Sequence, residues 1–317
     1  MIIPAPLAYP EALTLGSTKP KSGLRRFLFS PYLAVILTAL FWAVTTIVVR
    51  YVRDESPPIG LSFWRTLAAF IIMLPFCLRA IILQWDLVRQ HWKLLALLSF
   101  LLWVGGNALL FVSLQYTIAI NAAVINSVEP LFIVAFAWLL FRDEFTWLQG
   151  LGLALSLSGV LVLIAAGSVE RLLALDLNRG DLIVTGAYIA WGLYAVLLRK
   201  LPRALDYRVT VAAILGFGTL ILLPIYLIET IYVRPVLPTA TTLITVAWLA
   251  TFSSSLAMIL WNYGIMKLGA ARAGQYLHLI PAFTIALAII VLGETLGPHH
   301  IAGIVLIVIG LFIASRR

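Results

Sequence analysis

The chain has one cysteine, Cys77, among its 317 residues, and only 11% of those residues are charged. A single thiol inside an apolar run builds neither a disulfide framework nor a cysteine-based metal site. The scarcity of charge excludes more. With 62% hydrophobic residues and a mean hydropathy of +1.05, no soluble domain of this size could cover its own apolar surface. Catalytic signatures are missing as well: there is no Gly-x-Ser-x-Gly, no His-Glu-x-x-His and no phosphate-binding Gly-Lys-Ser/Thr. The adjacent His299 and His300 stand at the end of an apolar segment, where neighbouring helical side chains diverge. An enzyme is therefore not expected, and neither a metal nor a cofactor is called for. The net charge of +9 would suggest nucleic acid in a soluble protein, but here the basic residues sit singly or in pairs at the ends of apolar segments. They read as orientation signals, and the expected partner is the lipid bilayer.

Residues 1–30 are broken by prolines and contain no apolar core resembling a signal peptide, so they read as a loosely ordered cytoplasmic tail. Beyond it, breaking the sequence at charges, Gly-Pro clusters and polar loops leaves ten apolar segments long enough to cross a bilayer. They cover about 31–52, 58–78, 94–115, 118–140, 146–166, 181–201, 207–229, 241–265, 271–292 and 298–315. The expected fold is all-α and integral to the membrane. With the N-terminus inside, 16 of the 22 Lys and Arg residues fall on the cytoplasmic side and 5 on the other, while Arg65 lies within the second span. That bias predicts two cytoplasmic termini, with the loops holding Asp54, Glu170, Arg234 and Glu294 outside.

The chain is also built twice. Trp42 and Trp191, Arg50 and Arg199, and Pro75 and Pro224 are each 149 residues apart, and Pro130 and Pro281, and Gly159 and Gly310, are each 151 apart. The halves are therefore 31–166 and 181–317, joined by a polar outer loop at 167–180. Five spans per half is an odd number, which obliges the two halves to lie in opposite orientations, and inverted repeats of this kind belong to carriers.

The Trp-x7-Arg opening of each half, Glu129-Pro130-Leu131-Phe132 followed by Asp143-Glu144, Ile280-Pro281-Ala282-Phe283 followed by Gly293-Glu294, and Gly180-Asp181 at the start of the second half resemble the EamA family of the drug/metabolite transporter superfamily. The resemblance covers nearly everything after residue 31. It implies ten transmembrane helices in two inverted five-helix repeats around a central cavity, and movement of small metabolites, amino acids or drugs, often outward. For a bacterial protein it implies the inner membrane. Phosphorylated substrates of related carriers would call for paired cations, whereas only Arg65 is clearly intramembrane. A non-transporting membrane sensor or assembly subunit and an integral-membrane enzyme are the alternatives.

Intramembrane polar residues supply the candidate site. A carboxylate midway along an apolar span is costly unless paired, hydrated or protonated, which singles out Glu129 for a substrate amine or a coupled proton. Its bland reading is a structural partner for Arg65. Arg65 itself either snorkels outward beside Asp54 and Glu55 or turns inward to a substrate carboxylate. Pro130 and Pro281 each remove a backbone donor, predicting bent polar patches at Asn126 and Glu129 and at Gln275, Tyr276 and His278. His278 is a second candidate for a coupled proton. Trp42, Trp103, Tyr188 and Trp191 offer an aromatic wall for a flat or amphipathic solute, with Asn107 on the face of Trp103 and Tyr194 on the side of Tyr188 and Trp191, although aromatics in such proteins also serve packing and the interface. Trp85, Trp92, Trp147, Trp248 and Tyr232 are read as interfacial. Gly105 and Gly106, beside Asn107, are the expected hinge, with Pro130 and Pro281 as the other bend points.

Overall fold

The computed structural model describes residues 30–52, 55–113, 115–116, 125–165, 170, 179–292 and 297–315. Among the described residues the regular structure is helical. In chain order the helices are α1 (Pro31–Val52), α2 (Pro58–Leu83), a short α3 (Trp85–Gln90), α4 (Trp92–Ser113), α5 (Glu129–Phe141), α6 (Trp147–Ile164) and α7 (Arg179–Leu197). They continue as α8 (Tyr207–Tyr232), α9 (Ala240–Leu268), α10 (Ala270–Gln275), α11 (Leu279–Leu292) and α12 (Pro298–Ser315). Six of them, α1, α2, α4, α7 with its following turn, α8 and α9, are long and apolar enough to cross a membrane, and α5, α6, α11 and α12 are shorter apolar helices.

The outer surface gives the solvent. Phe76 is 77% exposed, Leu83 76% and Leu182 78%. Water would penalise that surface by roughly 25 cal/mol for every Å² of apolar area, whereas hydrocarbon does not. Inside the bundle the order is reversed: Ser62, Thr66, Ser99 and Ser156 are fully buried. Thr66 and Ser99 return their hydroxyls to the carbonyls four residues earlier, Ser62 and Leu95, which meets the demand for internal hydrogen bonding where no water is present. Of the aromatics expected near the interface, Trp85, Trp92, Trp147 and Tyr232 are exposed, whereas Trp248 packs in the bundle and stacks on Phe252 at 5.6 Å.

The packing repeats itself. Helices α2 and α8 are both 26 residues long, begin 149 residues apart and carry an internal proline, Pro75 or Pro224. They pack on each other antiparallel, with Glu229 near the end of α8 accepting from the Ile59 and Gly60 amides at the start of α2 (3.1 and 2.6 Å). A carboxylate is favoured there because the first amides of a helix lack intrahelical partners. Likewise α1 packs on the second part of α9, and α7 on the second part of α4. Wider π-helical turns interrupt α4 at Phe100–Ala108 and α9 at Leu249–Leu256, again 149 residues apart.

The tightest crossing joins α6 to α12. A Cβ on Gly152 would lie 2.5 Å from the Gly310 carbonyl oxygen, and one on Gly159 would lie 2.6 Å from that of Gly303. Only glycine permits backbones so close. Gly303 and Gly310 are themselves 151 residues beyond Gly152 and Gly159, so the first glycine of one helix meets the second of the other. Such reciprocal pairing is what a two-fold relation produces.

Two expected spans differ in form. The stretch 118–140 was expected as one helix bent at Pro130; residues 117–124 lie outside the described residues, and α5 instead begins at Glu129, with Pro130 in its first turn. A proline there forfeits no hydrogen bond, since its amide would have been unpaired anyway. The stretch 271–292 is divided into α10, a 3-10 turn at Tyr276–His278 and α11, so that Pro281 too stands in a first turn. The linker at 167–180 lies mostly outside the described residues, as do Asp54 and Glu294.

Candidate functional site

A cavity of about 120 Å³ lies within the bundle, walled by α1, α2, α4, the start of α5, α7, α9 and Ile280 of α11. Seven of the ten residues expected from sequence to bind substrate line it: Trp42, Trp103, Asn107, Asn126, Glu129, Tyr188 and Trp191. The aromatic faces come from consecutive turns. Tyr188, Trp191 and Tyr194 recur every three residues on α7, with the Tyr188 and Trp191 rings 5.3 Å apart. Across the space Trp42 packs on Trp261 at 5.4 Å. Trp103 turns its ring against the backbone at Gly218, where a Cβ would lie 2.2 Å away.

Glu129 is 6% exposed, and among the described residues none donates a hydrogen bond to its carboxylate. Its place in the first turn of α5 sets it against that helix's free amides, the one terminus where a buried negative charge is favoured. Asn126 and Glu129 both act on the Tyr188 hydroxyl, so the three form one polar corner.

Arg65 departs from the outward-snorkelling alternative. It is 2% exposed and lines the cavity. Its guanidinium lies over the rings of Trp103 and Phe111 (5.3 and 5.0 Å to the centroids), and its Nη2 donates to Asn107 Oδ1. The widened turn of α4 explains why Asn107 can receive it. There the Leu102 carbonyl accepts from Asn107 Nδ2 at 2.7 Å and from Trp191 Nε1 at 3.3 Å, side chains taking up an acceptor released by the π-helical path. Gly105 and Gly106 lie in this same turn; a Cβ on Gly106 would stand 2.0 Å from Trp191 Nε1, so the missing side chain makes room for the indole.

Gln275, Tyr276 and His278 do not line the cavity. The 3-10 turn aims them elsewhere: His278 pairs with Ser156 Oγ at 2.6 Å and the Ser127 carbonyl at 3.0 Å, and Tyr276 packs on Tyr32 at 5.9 Å. With both ring nitrogens engaged, His278 ties elements together. Gln275 is buried, its Nε2 without a partner among the described residues. Tyr194, Trp261, Ser253 and Ser254 also line the cavity, beyond the ten expected residues. Spacing after Trp191 signals Tyr194, whereas small serines in an apolar span suit helix packing equally well and nothing in the sequence marks Trp261.

Helices clad in apolar side chains around an interior cavity lined by buried ionisable groups define a multi-pass membrane protein of the solute-transporting class. The chain belongs to the EamA-like transporter family, whose model matches it twice, at residues 29–165 and 178–316. It is similar to the uncharacterized transporter YyaM of Bacillus subtilis (strain 168), 27% identical over 90% of this chain and 93% of that one. A probable amino-acid metabolite efflux pump of Salmonella typhimurium is 23% identical over 88% of this chain and 92% of its own length. A probable terminal-alkyne amino-acid exporter of Streptantibioticus cattleyicolor is 25% identical over 62% of this chain and 64% of its own. A solved crystal structure shares the fold, with a TM-score of 0.73 at 18% identity, covering 90% of this chain and 96% of that one. The protein is thus a membrane transporter rather than an enzyme by family.

Proposed function

We propose that this transporter is a ten-span carrier of two inverted five-helix repeats, 31–166 and 181–317, that moves small amphipathic organic solutes outward by alternating access. The observation that carries this reading is the cavity within the bundle, whose walls are aromatic and whose two ionisable groups, Arg65 and Glu129, come from different helices. Aromatic walls suit a flat or apolar body, and convergent polar groups fix its orientation. The reciprocal packing of α6 on α12 and of α2 on α8 supports an axis about which the halves rock. Amino acids are the substrate class suggested by the names of two relatives. The site comprises Trp42, Trp103, Asn107, Asn126, Glu129, Tyr188 and Trp191, and Glu129 receives either the substrate's ammonium group or a coupled proton.

The basic asymmetry of the sequence supports both termini on the cytoplasmic side of a bacterial inner membrane. Single cysteines introduced near Glu170 and Arg234 should then react with an impermeant reagent from outside; reaction from the cytoplasmic face alone reverses the orientation. The activity is tested by loading proteoliposomes with a radiolabelled amino-acid panel. Release of at least one member faster than from empty liposomes is the expected result, and a full panel retained overturns the transport of amino acids.

A further inference from the structure

The buried charges of the cavity are not matched to each other. The described ion pairs are Arg199 with Asp143 and Arg208 with Asp206, at the helix ends. Arg65 has instead one neutral amide oxygen, from Asn107, and two aromatic faces. A guanidinium offers five N–H donors in a planar fork, and its Nε has no acceptor among the described residues. Ser254, which lines the same cavity from α9 and is 1% exposed, also has a hydroxyl without a partner among the described residues. An unpaired cation in a desolvated site is strongly unfavourable, and the acceptor best fitted to a planar fork is a carboxylate, which takes two parallel N–H bonds. Lysine would lack that fork.

Asn107 sets the geometry. Its Nδ2 is held by the Leu102 carbonyl of the π-helical turn, which fixes the amide oxygen toward Arg65. The same carbonyl receives Trp191, so the aromatic wall and the guanidinium are positioned from one backbone atom. The acidic corner of Glu129, Asn126 and Tyr188 supplies the opposite polarity within the same cavity.

We propose that Arg65 and Ser254 form a carboxylate-binding subsite, positioned by Asn107, and that with Glu129 it selects solutes bearing both a carboxylate and an ammonium group on an aromatic or apolar body. The proposal rests on the transport reading above. It disfavours dianions, because one guanidinium shares its cavity with a carboxylate.

The test uses the full-length chain in proteoliposomes with three labelled indole solutes: tryptophan, tryptamine, which lacks the carboxylate, and indole-3-propionate, which lacks the amine. Tryptophan is expected to move with a kcat/KM at least about tenfold above either analogue, because buried polar groups left unpaired reject a ligand lacking their partner. Arg65→Lys should lower the tryptophan-to-tryptamine ratio by about tenfold, and Ser254→Ala by a smaller factor in the same direction. Asn107→Leu should also lower this ratio while leaving the tryptophan-to-indole-3-propionate ratio nearer that of the parent protein, a split that general loosening of the fold does not produce. Equal movement of tryptophan and tryptamine, or ratios unaltered in Arg65→Lys and Ser254→Ala, overturns the subsite and leaves transport standing. If none of the three solutes moves, transport of this solute class falls with it. Should Arg65→Lys fail to fold, Ser254→Ala decides.

Discussion

The two halves of the chain share a frame and differ in what they place on it. Trp42 and Trp191 are related by the 149-residue offset, as are Thr45 and Tyr194, and all four line the cavity. The charges are not shared. At the offset from Arg65 stands Ile214, at that from Asn107 stands Leu256, and 151 residues beyond Glu129 stands Ile280. Each half also breaks a span just before a proline, yet the break at Asn126 and Glu129 faces the cavity while Gln275 and His278 do not line it, His278 being held by Ser156 of α6 and Ser127. On the carrier reading proposed above, near-symmetry would serve a motion in which the repeats interconvert, and asymmetry would serve recognition of a solute with distinguishable ends.

Substitutions at the two breaks should separate these roles. Glu129→Gln retains shape and removes charge, so transport of a verified substrate should fall about a hundredfold, or roughly 2.7 kcal/mol, with little loss of folded protein in detergent. Transport within twofold of the parent would sink the assignment of Glu129. The shared frame is next: Gly310→Val inserts atoms where a Cβ alone would lie 2.6 Å from the Gly152 carbonyl oxygen. A destabilisation of about 2 kcal/mol is expected from overpacking, read as a lower melting temperature by fluorescence-detected chromatography. An unchanged melting temperature would mean that α6 and α12 part more easily than their contact indicates.

His278→Ala sharpens the contrast with Glu129. It leaves Ser156 Oγ and the Ser127 carbonyl without a ring partner, so it should cost about 1–2 kcal/mol of stability and leave solute selectivity as in the parent protein. A change in selectivity would return the second break to the site. The smallest effect belongs to Asp143→Asn. Asp143 and Arg199 pair with side chains 33% and 31% exposed, and a solvent-screened pair of this kind contributes below about 1 kcal/mol, vanishing at high salt. A larger, salt-resistant loss would make the pair a latch between the halves.

Much of the frame was legible because apolar length and repeat offset survive without knowledge of which way a side chain points. The helix bounds of α2 and α8 ran several residues past the expected 78 and 229, to Leu83 and Tyr232, since apolar runs at a membrane face carry no sharp stop. Direction was harder to read. Arg65 stands near a span end, where sequence permits both snorkelling and inward burial, and only the placement of Asn107 by a π-helical turn decides between them. The same limit applied to Gln275 and His278: proline signalled a break, but the 3-10 turn that rotates their side chains away from the cavity has no distinct signature in composition.

The hydrogen bond from His278 to Ser127 joins residues 151 apart, the very offset that relates the two proline-bearing spans. A residue that touches its own counterpart sits on the symmetry axis. In an assembly of two identical chains, that position would carry the same side chain on both sides, two rings or two hydroxyls. Joining the halves in one chain removes that constraint, so that a histidine stands on one side and a serine on the other. A contact at such an axis can therefore differ on its two sides within one chain, His278 presenting a ring and Ser127 a backbone carbonyl.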